Sequence, residues 1–457
     1  MKSGSTVLVV DGGGRGAVLV EKYAQSPHVS KIIAVPGNDL MGINTDKEVE
    51  LHPRLATTDV REIVGLCVDR KVALVDVAQD RAVAAGLVDA LEREGIPTVG
   101  PCQLAGQIEW DKAWARQFMV RHGIPHPAFH VFRSADEGEQ FLDRQPERAW
   151  FVKAAGLAEG KGALPAGSNF EAMERIEEMS QFGEAGETYL LEEWLVGEEF
   201  SLFAVCDGHS FQVLGNAQDH KRAYNFDEGE NTGGMGCSSP ALLLRDEIVH
   251  GVEEQVLKPV VAGLCAEGRP YKGILYLGGM VLENGLVSVI EFNARWGDPE
   301  AQVILPGLLA DWFELGLAVA EGRVESCGVA SDGKARVSVA GVSRGYPRSH
   351  SSATGRRVFG IDEARRLPGV RVYGAGVTRR VDGKDYAAGG RLFHIVGEGR
   401  TVIEARERAY SALSLISVEG NNLHYRTDIG WRDVERLRAA SPSDLLGTAS
   451  GVRTALR

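Results

Sequence analysis

Short apolar runs alternate with helically spaced apolar residues along the N-terminal part of the chain. Val7–Val10, Lys31–Val35 and Val72–Val77 have the length of buried strands, and Ala17–Gln25, Asp59–Asp69 and Ala82–Arg93 lie between and after them with helical periodicity. Strand alternating with helix predicts a parallel open sheet, ending near Thr98–Pro101. Trp110–His122 then reads as a helix, broken by Ile124-Pro125. Trp150–Lys153, Tyr189–Trp194 and Phe200–Val205 read as strands and Phe170–Met179 as a helix. Asp246–Ala266 is helical with Pro259 inside, which predicts a kink or break because proline lacks the N–H and its ring crowds the preceding turn. Gly273–Leu282 and Leu286–Phe292 flank an Asn-Gly turn and predict an antiparallel hairpin, followed by a helix over Ala310–Ala320. From about residue 330 strands dominate, at Ala335–Val342, Val370–Ala375 and Arg391–Val396, with a helix at Arg400–Ile416. This predicts a small α+β module, with a polar tail over 441–457 expected to be mobile.

The chain has 457 residues, more than one hydrophobic core serves, so two to four domains are expected. The divisions expected are an open-sheet domain over 1–102, a central domain over 103–328 and a C-terminal module over 329–440. A formal charge of −13 speaks against nonspecific nucleic-acid binding, which needs a basic surface. No apolar run approaches the roughly 18 residues of a membrane span, and the run Val7–Val10 is too short for a signal-peptide core. The scattered cysteines form no CxxC pair, so reduced thiols in a cytoplasmic protein are expected.

Several segments carry chemistry. Asp11–Arg15 puts three glycines, among them Gly13 and Gly14, at the first strand–helix turn, where open sheets bind phosphate; a tight turn with close helix packing reads equally well. Lys153 and Lys161 flank a loop containing Gly156, Gly160 and Gly162, a pattern suited to polyphosphate or to a surface loop with solvated lysines; no Walker A motif is present. Glu192 and Glu193 end a strand, with Leu195 and Glu199 following; this layout could present backbone groups to an adenine edge, with Glu199 reaching a ribose diol, or the acids could simply be solvated. Glu291 and Asn293 are two apart on a strand and so share a face, and two hard oxygen donors suit Mg²⁺ shared with phosphates, unless they are only an edge-strand acid and a turn-capping asparagine. Arg295 and Asp298 follow, one able to grip a carboxylate and the other an ammonium, unless Asp298-Pro299 is only a turn. Gln218–Arg222 supplies Asp219, His220, Lys221 and Arg222, and Asn231, Thr232 and Gly233 open a glycine-rich loop nearby. Within so charged a run, His220 reads as a residue that orients its neighbours rather than as a general base. No nucleophile–base set and no His/Cys metal spacing is evident. Together these residues suggest a phosphate-handling enzyme that uses Mg²⁺.

With these motifs in view, the chain resembles the phosphoribosylamine–glycine ligase (glycinamide ribonucleotide synthetase) family of the ATP-grasp superfamily, from Val7 to about Trp431. The most specific parts are Gln218–Arg222, Asn231–Gly236 and Glu291–Glu300; Val152–Gly162 and Tyr425–Gly430 are similar to the family's lysine–glycine loop and C-terminal signature. The resemblance implies an N-terminal open-sheet domain, an ATP-grasp domain with a lid inserted at about 123–192, and a C-terminal α+β domain. It implies that Lys112 and Lys153 contact ATP phosphates, that Lys161 lies with Gly160 and Gly162 in a mobile loop, and that Glu192, Glu193 and Leu195 surround adenine. Glu199 would hold the ribose, Glu291 and Asn293 would bind Mg²⁺ or Mn²⁺, and Arg295 and Asp298 would face the amino acid. Asp219, Lys221, Arg222 and Arg295 are the catalytic candidates. Gly13, Gly14, Arg15, Asn38, Asp80, Asn231, Thr232 and Gly233 are candidates for the other substrate contacts. The implied reaction is amide formation in purine biosynthesis: ATP activates the carboxylate of a small amino acid such as glycine as an acyl phosphate, and an amine, phosphoribosylamine, displaces phosphate. The implied partners are small molecules, with no nucleic acid or membrane, and the implied state is a monomer or homodimer.

Two loops depart from the family. Where the family has Gly-Gly-Arg-Glu-His, Arg15 here is followed by Gly16 and Ala17; where it has Gly-Pro-Glu-Ala-Pro-Leu, this chain has Ala78–Val83, keeping only the acid Asp80. These differences motivate a second reading, a related ligase joining another acid and amine. A third is a non-catalytic ATP-binding relative, against which the presence of Lys153, Glu291 and Asn293 argues.

Overall fold

The computed structural model describes residues 4–158 and 161–439; the expected tail over 441–457 and the loop residue Gly160 lie outside the described residues. The N-terminal strands form a five-stranded sheet in the order Glu48–Leu51, Val29–Pro36, Ser5–Asp11, Leu74–Val77, Thr98–Val99, with every pairing parallel. The run Val7–Val10 lies at its centre, fully buried, as an unbroken apolar strand covered on both faces must. The edge strand Glu48–Leu51 reads Glu-Val-Glu-Leu, half exposed, and lacks the apolar run that marks its neighbours. The helix expected over Ala82–Arg93 is two, Asp80–Ala84 and Leu87–Arg93, because Gly86 takes φ 78° between them. The helix expected from Trp110 starts at Lys112: Asp111 leaves helical geometry and accepts the Trp114 N–H, which closes the preceding helix Gln103–Trp110 and caps the next. Pro259 does not break its helix. The turn Glu253–Leu257 just before it widens to π geometry, and the helix resumes over Lys258–Ala266.

The largest sheet is antiparallel. Its order is Val287–Asn293, Lys272–Leu282, Gly197–Asp207, Phe211–Asp219, Gly236–Ser239, Ala335–Ser343, Arg391–Gly399, Val370–Gly374, and Leu423–His424 also pairs with Ala335–Ser343. The strands expected of the C-terminal module thus continue the central sheet through the pairing of Gly236–Ser239 with Arg336–Val339. A smaller sheet, Phe129–Phe132, Tyr189–Glu193, Trp150–Ala154, Ala163–Ala166, packs its own helices around Trp150, Leu191 and Ile176. One apolar core runs from Val7 and Val9 of the parallel sheet through Phe203, Trp296 and Trp312, joining the N-terminal sheet to the large one. That shared core fixes the first strand–helix turn against the Trp296–Glu300 segment.

Candidate active site

A cavity of about 460 Å³ opens between the small sheet and the ends of Lys272–Leu282 and Val287–Asn293. Its wall includes Lys112, Lys153, Gly162, Glu192, Glu193, Leu195, Glu199, Asp219, Lys221, Glu291, Asn293 and Arg295, together with Asp80, Asn231, Thr232, Gly233 and Asp298. Most candidates scattered over the sequence therefore meet around one space.

Each cation there is held by a different device. Lys112 stands at the start of its helix and donates to the Gly156 carbonyl at 3.1 Å; burial pulls its ammonium below the ordinary lysine range, against the nearby Glu291. Lys153 bonds Glu192 at 2.6 Å, and Glu192 also receives two bonds from Arg116, at 2.6 and 3.0 Å. Burial opposes charge on Glu192, but Arg116 and Lys153 outweigh it and hold the carboxyl at about 2. Lys221 pairs with the half-exposed Glu199 at 2.9 Å and sits 3.9 Å from Asp219. Lys221 in turn draws Glu199 below its usual range. Lys161 is exposed and not part of the wall. Arg222 is also off the wall, its guanidinium on the Gly229 carbonyl at 2.7 Å. His220 is buried and accepts the Gly430 N–H at 3.0 Å, so it braces the backbone outside the cavity.

Two buried carboxylates lie behind Lys221. Asp219 has one oxygen with no hydrogen-bond partner; burial and the neighbouring Glu300 raise it to about 7. Glu300 accepts from Tyr276 at 2.9 Å and Ser201 at 3.1 Å. Carboxylates placed beside Lys221 on the cavity wall suit a substrate ammonium.

Glu291 and Asn293 pair with Gly278 and Tyr276 of the adjoining strand and both reach the cavity. Among the described residues no group of three acidic, His or Cys side chains could hold a metal, so a cation here would have two protein oxygens and take the rest from phosphate and water. No hydrogen bond or ion pair within the described residues occupies the Glu291 carboxylate. The Asn293 oxygen accepts one bond, from Arg295 at 2.9 Å, and keeps a second lone pair. This donor set fits Mg²⁺.

The first strand–helix turn is filled from within. Asp11 accepts the Gly13 N–H and bonds the Arg15 guanidinium at 2.7 Å; Arg15 also donates to the Trp296 carbonyl at 2.8 Å. The Asp298 carboxylate lies 3.4 Å from the Arg15 N–H, beside the helix start, and accepts from Gln302 at 2.8 Å; the Arg391 guanidinium is 3.4 Å away, and the His394 ring, itself without a hydrogen-bond partner, is 3.2 Å away. Burial opposes charge on Asp298, but Arg391 and His394 hold it well below the carboxylate range. Gly13, Gly14, Arg15 and Asn38 are off the cavity wall. Asn38 clamps the Gly12 and Gly374 carbonyls, at 3.1 and 3.0 Å. A side chain at Gly16 would meet Met41 at 2.7 Å and Asp11 at 2.8 Å, so the glycine that departs from the family occupies a closed space. Thr232 is tied to the Lys221 carbonyl at 2.8 Å, and Gly233 gives its N–H to Tyr346 at 3.1 Å.

Sequence reasoning missed Arg116, Glu109, Glu300, Tyr276, Arg391 and His394. Arg116 had a signal: it lies one helical turn from Lys112 on the same face. Glu109 belongs to a helix the pattern did not predict. Arg391 and His394 come from the C-terminal module and reach Asp298 only through the fold.

Three family models match the chain: the N domain of phosphoribosylglycinamide synthetase over residues 5–109, its ATP-grasp (A) domain over 110–301 and its C domain over 336–432. The chain is 41% identical to the phosphoribosylamine–glycine ligase of Caulobacter vibrioides, over 94% of this chain and 99% of that one. It is 39% identical to the trifunctional purine biosynthetic protein adenosine-3 of Bos taurus, over 98% of this chain but 43% of that longer protein. Among solved structures it is similar to the phosphoribosylamine–glycine ligase of Thermotoga maritima, with a TM-score of 0.76 at 26% identity over 93% of this chain and 100% of that one. The biotin carboxylase of Campylobacter jejuni shares the fold, with a TM-score of 0.69 at 15% identity over 97% of this chain and 96% of that one.

Proposed function

Because the chain belongs to the phosphoribosylamine–glycine ligase (phosphoribosylglycinamide synthetase) family of ATP-grasp enzymes, we propose that its cavity joins phosphoribosylamine to glycine at the expense of ATP, yielding glycinamide ribonucleotide, ADP and phosphate. The protein is an ATP-dependent C–N ligase of purine biosynthesis. Similarity at this level over nearly the whole chain favours the family's substrates over another acid or amine.

In the first step the glycine carboxylate attacks the γ-phosphorus of ATP, ADP leaves, and glycyl phosphate forms. In the second the amine nitrogen attacks the acyl carbon, phosphate leaves, and the nitrogen gives up a proton. The chain needs no nucleophile of its own, since positioning and charge neutralisation lower both barriers. Lys112 and Lys153 would hold the phosphates, and Glu192 keeps Lys153 aimed at them. Glu199 would take the ribose, with Glu193 and Leu195 beside the base. Glu291 and Asn293 would hold a divalent cation, Mg²⁺ or Mn²⁺, which when bound supplies positive charge at the transferring phosphoryl group. Asp219 would receive the glycine ammonium and Arg295 its carboxylate. Asp80 and the Asn231–Gly233 loop would face the amine substrate; Arg15 and Asn38 support that side from behind.

The observation that carries this reading is the meeting of Lys112, Lys153 and the Glu291–Asn293 pair, from three separated segments, on one cavity. The test is phosphate release with ATP, Mg²⁺, glycine and freshly generated phosphoribosylamine, set against a panel of other acids and amines. Turnover with the family pair is expected; turnover with members of the panel alone overturns the substrate assignment. We further propose domain limits near residues 102 and 329 with the lid over about 123–192, a cytoplasmic location, and a monomer or homodimer. Among the described residues no helix is long and apolar enough to cross a membrane.

A further inference from the structure

Glu109 has no part in the reaction scheme above, yet it is a buried acid on the cavity wall with two well-formed contacts. Its carboxylate accepts the Ala294 N–H at 2.7 Å and ion-pairs with the Arg295 guanidinium at 2.9 Å. The same Arg295 nitrogen, Nη2, donates to the Asn293 side-chain oxygen at 2.9 Å, and Nη1 donates to the Trp296 carbonyl at 3.2 Å. Glu109 therefore grips the segment after Asn293 twice, once by its backbone and once through a guanidinium that itself touches the amide.

The chemistry of that amide makes the grip matter. An asparagine can present either its oxygen or its NH₂ group in one direction, and only the oxygen attracts a cation. Guanidinium carries donors alone, so Arg295 fixes which end of Asn293 is which. The NH₂ end, buried and without a hydrogen-bond partner, contributes nothing to hold that choice. Arg295 is a positive charge beside a cation site, and it is tolerable there because Glu109 offsets it. Helix Gln103–Trp110 thus reaches the strand end through one carboxylate.

We propose that Glu109 is a positioning residue for the divalent-cation site: through Arg295 it keeps the Asn293 oxygen available and cancels the arginine's charge. The inference rests on Glu291 and Asn293 being the cation's ligands. Partners of metal ligands commonly change metal affinity by about 10- to 100-fold when removed.

Binding of Mn²⁺ to the full chain in the presence of ADP, followed by electron paramagnetic resonance, tests it without turnover. Glu109→Gln should weaken Mn²⁺ about tenfold while ADP binding without metal stays within about twofold. A merely structural role would lower the melting temperature and leave Mn²⁺ affinity unchanged, and that result overturns the proposal. Glu291→Gln, measured alongside, separates the two levels. If it loses Mn²⁺ while Glu109→Gln does not, this inference alone fails; if it binds Mn²⁺ normally, the ligand assignment beneath it fails. Should Glu109→Gln not fold, Arg295→Lys carries the same test. It keeps a charge for Glu109 but lacks the branched donor set, and the same tenfold loss is expected; unchanged affinity overturns the proposal.

Discussion

Replacing Glu192 by glutamine should destabilise the protein by about 3 kcal/mol at neutral pH, toward the low end of what breaking a buried ion pair costs. The carboxylate is 2% exposed and takes three charge-assisted bonds, from Arg116 at 2.6 and 3.0 Å and Lys153 at 2.6 Å. Holding the carboxyl at about 2, against an ordinary 4.5, corresponds to about 3 kcal/mol. Two features keep the loss from being larger. Arg116 retains bonds to the Ile290 and Val289 carbonyls at 2.6 and 3.3 Å, so its guanidinium is not stranded. Lys153 lines the cavity, where water can reach it once its partner is gone. Urea unfolding monitored by tryptophan fluorescence, with the slope compared between variants, measures the difference. The pH dependence adds a second check. The carboxyl is depressed in the folded state, so its contribution is complete above pH 4.5 and is lost as pH falls toward 2. The gap between the two proteins should therefore narrow over that interval. A difference under about 1 kcal/mol at pH 7, or a gap that stays constant on acidification, would refute the ion-pair account.

Glu291→Gln should abolish turnover while thermal unfolding remains cooperative; normal activity in that variant removes the metal assignment. Asp219 is raised to about 7, so it loses its charge as pH falls through that value and kcat/KM for glycine should fall with it. Asp219→Asn should be slow and lack that acid limb; a limb with the same midpoint in the variant assigns it to another group. Gly14→Ala would put a methyl group 2.6 Å from His394 and 2.7 Å from Gln302, and about 1–3 kcal/mol of destabilisation is expected by calorimetry. An unchanged melting temperature would mean that this junction between the first helix and the C-terminal strands yields freely.

What could be read before the fold was known follows a physical rule. The central strands were legible because burial on both faces demands unbroken apolar runs, as in Val7–Val10. The edge strand Glu48–Leu51 was not, because half of it faces water and its composition says so. Helix boundaries failed where one backbone conformation decided them, at Gly86 and Asp111, since periodicity reports faces and not breaks. Lys153, Glu291 and Asn293 were legible from local spacing at a strand end. Their supporting groups were not, because Glu109, Arg116 and Arg391 act across 76 to 185 positions of chain, on Ala294, Glu192 and Asp298. The glycine turn at Gly13–Arg15 shows the converse. Its composition suits an anion, and anions do meet it, but they are Asp11 and Asp298 of the chain itself. A helix start satisfied in this way ties the open sheet to the segment carrying Arg295, and Arg391, which donates to the Asp298 carbonyl at 2.8 Å, ties that same residue to the C-terminal strands. The three parts of the chain therefore converge on one carboxylate, which makes Asp298 a joint between them as much as a wall of the cavity. Changes in the N-terminal loops can consequently alter how the site is held without adding or removing a group that touches substrate.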